Sequence, residues 1–289
     1  MSVLVLGSTG LLGQALMKEA SRRGIKAQGV ARTNAEFCLD ISDVNRLVKI
    51  IKETKPEIII NAVANTSLDE CEKHPDKAYI TNARPAAILA DLCSSCGFYF
   101  VQISTDHYYT GDGWAKHEEH CTLRFVNEYA RTKYIAEIFA LQCPNSLVVR
   151  TNIVGFRDKA GQPTFLEWVL ASLQSKSHMT LFEDFYTSSI DVGHFSEALF
   201  NLLPQRRSGI LNLASSEVTN KRQFVEKLAF RLGLSLENTQ NGSLRSLNSV
   251  ARAESLGLDV KKAEAFLGYR LPTLDCVIDR LASEYKGGN

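Results

Sequence analysis

The chain opens with four apolar residues, Val3-Leu4-Val5-Leu6, and turns at once into Gly7-Ser8-Thr9-Gly10-Leu11-Leu12-Gly13. A glycine-spaced turn between an apolar strand and an amphipathic helix restricts the fold more than any other feature of the sequence. Gly7 permits the tight turn, Gly10 lets the backbone approach a pyrophosphate, and Gly13 lets the helix pack closely on a sheet. The N–H groups at the helix start then face phosphate oxygens. The spacing alone is weak evidence. Its position, after a strand and before a helix, is the context that a dinucleotide requires.

The first half keeps this rhythm. Helical spacing is expected over Gly10–Arg22 and from a Ser42 cap through Thr54, then from about Pro75 to Cys96 and over Asn127–Gln142. Between these runs lie the segments 26–31, 58–60, 98–103 and 147–149, read as strands, of which 58–60 is fully apolar, as a buried parallel sheet requires. Alternation of this kind predicts an α/β fold, a Rossmann-like doubly wound parallel sheet. After about Thr151 the rhythm breaks into shorter pieces, with helices expected near 165–173, 192–203, 221–232 and 275–285 and a strand near 209–213. These suit a smaller α/β lobe that binds substrate.

A chain of 289 residues with 45% hydrophobic residues can bury a sizeable core, and its formal net charge of +1 gives no reason to expect nucleic acid or an acidic membrane surface. There is no apolar run of about eighteen residues, no basic leader and no small-residue cleavage site, so a cytoplasmic protein is expected. Seven scattered cysteines argue against a disulfide framework, and Cys93-Ser94-Ser95-Cys96 is read as two reduced thiols at a helix end. His117, Glu118, Glu119 and His120 lack clear ligand spacing and are read as a solvated loop over the site, so no metal is expected. Surface helices leave a homodimer open.

The second motif is Tyr129-Ala130-Arg131-Thr132-Lys133, preceded by Ile103-Ser104-Thr105-Asp106. A free tyrosine, with a pKa near ~10, is a poor acid at neutral pH. A lysine four residues on lies one helical turn away on the same face, and its charge lowers that pKa. Thr105, just beyond a strand, supplies a hydroxyl to polarise a carbonyl. Thr105, Tyr129 and Lys133 are therefore the catalytic candidates, and Lys133 also holds the nicotinamide ribose. Joined to the opening turn, they point to hydride transfer at a carbonyl or carbinol.

The second strand ends Val30-Ala31-Arg32-Thr33, without the acidic residue that commonly binds a ribose 2′-hydroxyl. Arg32 suits a 2′-phosphate, so NADP(H) is expected, with NAD(H) as the alternative. Asp40 is placed to accept from the adenine amino group, and Ile41 to pack on the ring.

These residues resemble the extended short-chain dehydrogenases/reductases, and within them the dTDP-4-dehydrorhamnose reductase group. The resemblance covers nearly the whole chain. It is carried by Thr9 to Leu16, by Asn61-Ala62-Val63-Ala64-Asn65-Thr66 leading to Asp69, Glu72, Pro75 and Asn82, and by Ser104-Thr105-Asp106. Asn127 with Tyr129 and Lys133, Arg150-Thr151, Gly209 to Ala214, and Arg252 with Leu258-Asp259 continue it. The resemblance implies that Gly7 to Gly13 and Ala62, Val63 and Ala64 line the cofactor, and that Asn82 lies near the adenosine half or supports the site from its helix. Ser104, Asp106, His107 and Asn152 are the candidates for substrate contact. It also implies that the nucleotide-binding domain comprises 1–152 with about 189–214 returning to it, and that 153–188 and 215–289 hold a nucleotide-activated sugar.

His107-Tyr108-Tyr109 departs from the group's Tyr-Val-Phe, Asn152-Ile153 from its aromatic, and Ala130 and Ala253 from its usual Gly and Pro. The expected activity is NADPH-dependent reduction of a nucleotide-bound 4-keto-6-deoxy sugar for polysaccharide or glycan synthesis. Epimerisation or dehydration with retained NAD, and a cofactor-binding regulatory subunit without turnover, stay open as alternatives.

Overall fold

The computed structural model describes residues 1–247 and 249–287. The chain divides into two compact units. The first comprises Met1–Thr105, Phe125–Arg150 and Ser196–Leu211; the second comprises Asp106–Arg124, Thr151–Phe195 and Asn212–Asn289.

The first unit is built on a seven-stranded sheet. Its order is Gly209–Asn212, Ser146–Arg150, Tyr99–Ile103, Ile58–Asn61, Ser2–Leu6, Lys26–Ala31 and Phe37–Cys38. Pairing from Ser146–Arg150 through to Phe37–Cys38 is parallel throughout. The central strands Ile58–Asn61 and Tyr99–Ile103 are buried at every position, as a parallel sheet covered on both faces demands. The doubly wound architecture is as expected from the alternating rhythm. The edge strand Phe37–Cys38 is an addition, too short to leave a period in the sequence.

Local chemistry sets the helix ends. The helix Val44–Thr54 is capped by Asp43, whose carboxylate accepts from Arg46 N at 3.1 Å, one residue beyond the expected Ser42. The expected helical stretch from Pro75 to Cys96 comprises Pro75–Ala78, a π-helical turn Tyr79–Ala83, and Arg84–Cys96, ended by Gly97 at φ +75°. The helix Glu128–Ala140 starts at Asn127, whose side chain accepts from Ala130 N at 2.9 Å. Ala130, Ala136 and Ala140 are fully buried, and such small residues let this helix lie close to its neighbours. Cys93 is paired in a disulfide with Cys143, where reduced thiols were expected; Cys96 is free and exposed.

The second unit has its own core. Leu166, Val169, Leu170, Phe224, Val225, Leu228, Val277, Ile278 and Leu281 bring together the helices Phe165–Gln174, Lys221–Leu232 and Leu274–Gly287. Capping boxes at Thr164 and Asn220 start the first two of these helices. Among the described residues no helix is long and apolar enough to cross a membrane.

Candidate active site

The opening turn takes the form its glycines require. Gly7 sits at φ +82°, and a Cβ there would lie 3.1 Å from the backbone of Ala62 and Val63. A Cβ on Gly13 would lie 2.0 Å from the Gly7 carbonyl oxygen, so this position admits glycine alone. At Gly10 the same test meets only Gly7 O, at 3.2 Å, and the space beyond is open. Gly10 caps the helix Leu11–Arg22 without a side-chain bond, and the first turn carries no acidic residue. The N–H groups of Leu11, Leu12 and Gly13 therefore begin a helix whose own first turn supplies no anion to its positive end. Ser8 Oγ is buried and has no hydrogen-bond partner. An open, uncapped cradle with an unspent hydroxyl fits the phosphates of a dinucleotide.

The side chains of Leu12 and Ile41 are buried, and Ile41 belongs to the core with Leu47 and Ile50. It therefore packs against the core. Asp40 is exposed and accepts from Ser42 N at 2.9 Å, and the Ser42 side chain, then this backbone bond, with the nearby Arg32 charge, hold its carboxyl below the usual range. Arg32 and Thr9 keep exposed surface, and Ala62, Val63 and Ala64 are half-buried beside Gly7.

Asn82 has no exposed surface. Its Oδ1 accepts from Asn65 N at 2.7 Å, and its Nδ2 donates to Asn65 O at 3.2 Å and to Thr132 Oγ1 at 3.1 Å. It fastens the loop after Ile58–Asn61 to the helix carrying Tyr129.

Tyr129 and Lys133 share one face of the helix Glu128–Ala140, and Lys133 Nζ donates to Ile103 O at 2.7 Å. That bond brings the lysine to the strand end two residues before Thr105. Thr105, Tyr129 and Lys133 are all buried. Burial pushes the Lys133 ammonium down to about 8, against the upward pull of Glu137. Ser104 faces the other way. Its Oγ donates to the fully buried Glu137 at 2.5 Å, which ties the strand end to the helix.

The remaining substrate candidates meet in the second unit. Asn152 Nδ2 donates to Asp106 at 2.8 Å, and Asn152 Oδ1 accepts from Ser189 Oγ at 2.8 Å. Burial, reinforced by the charges of Lys221 and Arg252, holds His107 down to about 4, so its imidazole is neutral at pH 7. Lys221 and Arg252 belong to this cluster, a grouping that residue order did not show. Lys221 Nζ lies 4.4 Å from the centre of the Phe165 ring and 5.6 Å from that of Phe185. The expected solvated loop is only partly so. His117 is buried, stacked on Tyr109 at 3.8 Å, and Glu119 accepts from Asn212 N at 3.0 Å.

The profile of the RmlD substrate binding domain matches residues 1–286. The chain belongs to that family. Among its relatives is the probable low-salt glycan biosynthesis reductase Agl14 of Haloferax volcanii, 27% identical over 285 residues, or 95% of each chain. The dTDP-4-dehydrorhamnose reductase of Salmonella typhimurium is 31% identical over 156 residues, 53% of this chain and 52% of its own. The crystal structure of dTDP-4-dehydrorhamnose reductase from Bacillus anthracis, in complex with NADP, superposes with a TM-score of 0.87 over 98% of this chain and 99% of its own, at 22% identity. The superposition agrees with the parallel sheet described above.

Proposed function

We propose that this protein is an NADPH-dependent oxidoreductase that reduces the 4-keto group of a nucleotide-activated 6-deoxy sugar, in the synthesis of a glycan or polysaccharide. The observation that carries the reading is the bond from Lys133 Nζ to Ile103 O, which brings the Tyr-x-x-x-Lys face to the strand end bearing Thr105. Agl14 and the Salmonella reductase, named for glycan biosynthesis and for dTDP-4-dehydrorhamnose, support the substrate class.

The first unit takes the cofactor, with Gly7 to Gly13 around the pyrophosphate and Arg32 beside the 2′-phosphate. The bound dinucleotide supplies the hydride. Thr105 donates a hydrogen bond that orients the substrate carbonyl, and Tyr129 gives its phenolic proton to the oxygen that develops charge. Lys133, fixed by Ile103, favours the ionised phenol that remains. The second unit takes the nucleotide sugar through Asp106, His107 and Asn152. A neutral His107 is a hydrogen-bonding group and no acid at pH 7, which weighs against dehydration or any other chemistry that needs a proton donor there. The site of action is the cytoplasm, where nucleotide sugar and NADPH are supplied together.

The test is loss of NADPH absorbance with a dTDP-4-keto-6-deoxyhexose. Tyr129→Phe is expected to lower turnover by about 10³-fold while leaving NADPH binding, read by fluorescence, within twofold. Undiminished turnover in that variant overturns the assignment of Tyr129, and wild-type protein inert on a panel of nucleotide keto sugars overturns the activity.

A further inference from the structure

Glu137 stands one turn beyond Lys133 on the same helix and has no exposed surface. Its carboxylate is held on both oxygens. Arg150, itself 1% exposed, donates from Nη2 to Oε2 at 2.7 Å and from Nε to Oε1 at 3.1 Å. Ser104 Oγ donates to Oε1 at 2.5 Å, and Ser104 N donates to Val149 O at 2.7 Å. With the bond from Lys133 to Ile103, one helix and one strand thus secure two consecutive residues, Ile103 and Ser104, and the next residue is Thr105.

A buried ion pair gives little reason for itself on stability grounds, because well-packed apolar residues of similar volume often serve as well. This one touches the strand end directly and sits a helical turn from the ammonium of Lys133. We propose that Glu137, clamped by Arg150, is a positioning residue: through Ser104 it fixes the Thr105 end of the strand, and through its charge it keeps Lys133 protonated. The inference rests on the roles proposed above for Thr105 and Lys133, and it names a residue that deepens them.

The groups facing Lys133 set the sign of the expected effect. From its own helix come Tyr129 and Glu137; from the strand Tyr99–Ile103 comes the uncharged Ile103 carbonyl; from the strand Ser146–Arg150 comes Arg150, already spent on Glu137. Glu137 is the carboxylate that opposes the effect of burial on the lysine. Its neutralisation therefore lets the lysine lose its proton at lower pH.

The experiment follows the titration of Lys133 by NMR in intact protein labelled with ¹³C at lysine Cε, with the resonance assigned by Lys133→Arg. Glu137→Gln is expected to move the midpoint down by about one pH unit. If that variant fails to fold, the paired substitution Glu137→Leu with Arg150→Met keeps the core filled, and because both charges go together it is expected to move the midpoint down by less than Glu137→Gln does. An unmoved midpoint in the folded variant overturns the electrostatic half. Ser104→Ala tests the other half: turnover falls about tenfold with the Kd for NADPH unchanged, as expected for one lost hydrogen bond to a charged group. Unchanged turnover overturns it. Wild-type protein without turnover is a failure of the proposed activity and not of this inference, because the titration needs no substrate and still decides its electrostatic half.

Discussion

Each unit contains a lysine whose ammonium burial pushes down to about 8, and the two are supported in different ways. Lys133 is 3% exposed, donates to a main-chain carbonyl, and has Glu137 one turn away. Lys221 lies over the rings of Phe165, Phe185 and Phe224, with the charge of Asp106 pulling its pKa upward. It is the first residue of the helix Lys221–Leu232, where a cation meets the positive end of the helix dipole. A hydrogen bond fixes an atom in direction, whereas ring faces hold a cation loosely and leave its donors to a ligand. The first arrangement suits a group that must keep one place through a reaction; the second suits a group that receives an anion.

That contrast is open to direct attack. Lys133→Met is expected to reduce kcat by about 10³-fold, the range for loss of a group that serves acid–base chemistry, as measured by NADPH oxidation. Lys221→Met is expected to leave kcat within about twofold and to raise KM for the nucleotide sugar about tenfold, equivalent to ~1.4 kcal/mol for one charge-assisted contact. Equal losses of kcat in the two variants would erase the distinction. A finer consequence lies at His107. Burial is the main cause of its low value, with the Lys221 charge second, so Lys221→Met moves the His107 titration upward from about 4 toward its ordinary 6.5, as read from the imidazole proton shifts. A midpoint that stays put shows that Lys221 does not act on the ring.

The parts of this arrangement legible in the sequence are those with local period or local chemistry. The turn from Gly7 to Gly13 and the four-residue step from Tyr129 to Lys133 are each local in the chain, and the strand rhythm points to a parallel, doubly wound sheet. The rest depends on where a side chain points or on what a distant segment brings. Ile41 and Asp40 are neighbours, but alternation of direction sends one into the core and leaves the other exposed. The family resemblance offers Asn82 either a place near the adenosine half or a supporting role, while its burial and its bonds to Asn65 and Thr132 are tertiary facts. The pairing of Glu137 with Arg150 crosses from a helix to a strand, and two charged residues thirteen apart carry no signal of it. The segment Asp106–Arg124 begins directly after Thr105, yet it packs with residues far along the chain, as the bonds from His117 N to Gly257 O and from Asp259 N to His117 O record.

The smallest expected effect concerns stability, where the two lysines should behave alike. Both are held below the value of 10.5 that an unfolded lysine keeps. Below pH 8 each is charged in the folded and unfolded chains alike, and the folded chain bears the full cost of a desolvated ammonium. Between about 8 and 10.5 the unfolded chain binds more protons than the folded one, so stability contributed by these sites rises with pH. Lys133→Met and Lys221→Met should each flatten that rise, measured as the difference between urea midpoints at pH 7 and pH 10. Because Lys221 keeps more exposed surface than Lys133, solvent screens its charge more, and its variant should flatten the rise less. A larger flattening for Lys221→Met would mean that the ring cage desolvates its ammonium more completely than the backbone clamp does at Lys133, and the contrast between a fixed cation and a receptive one would have to be reversed.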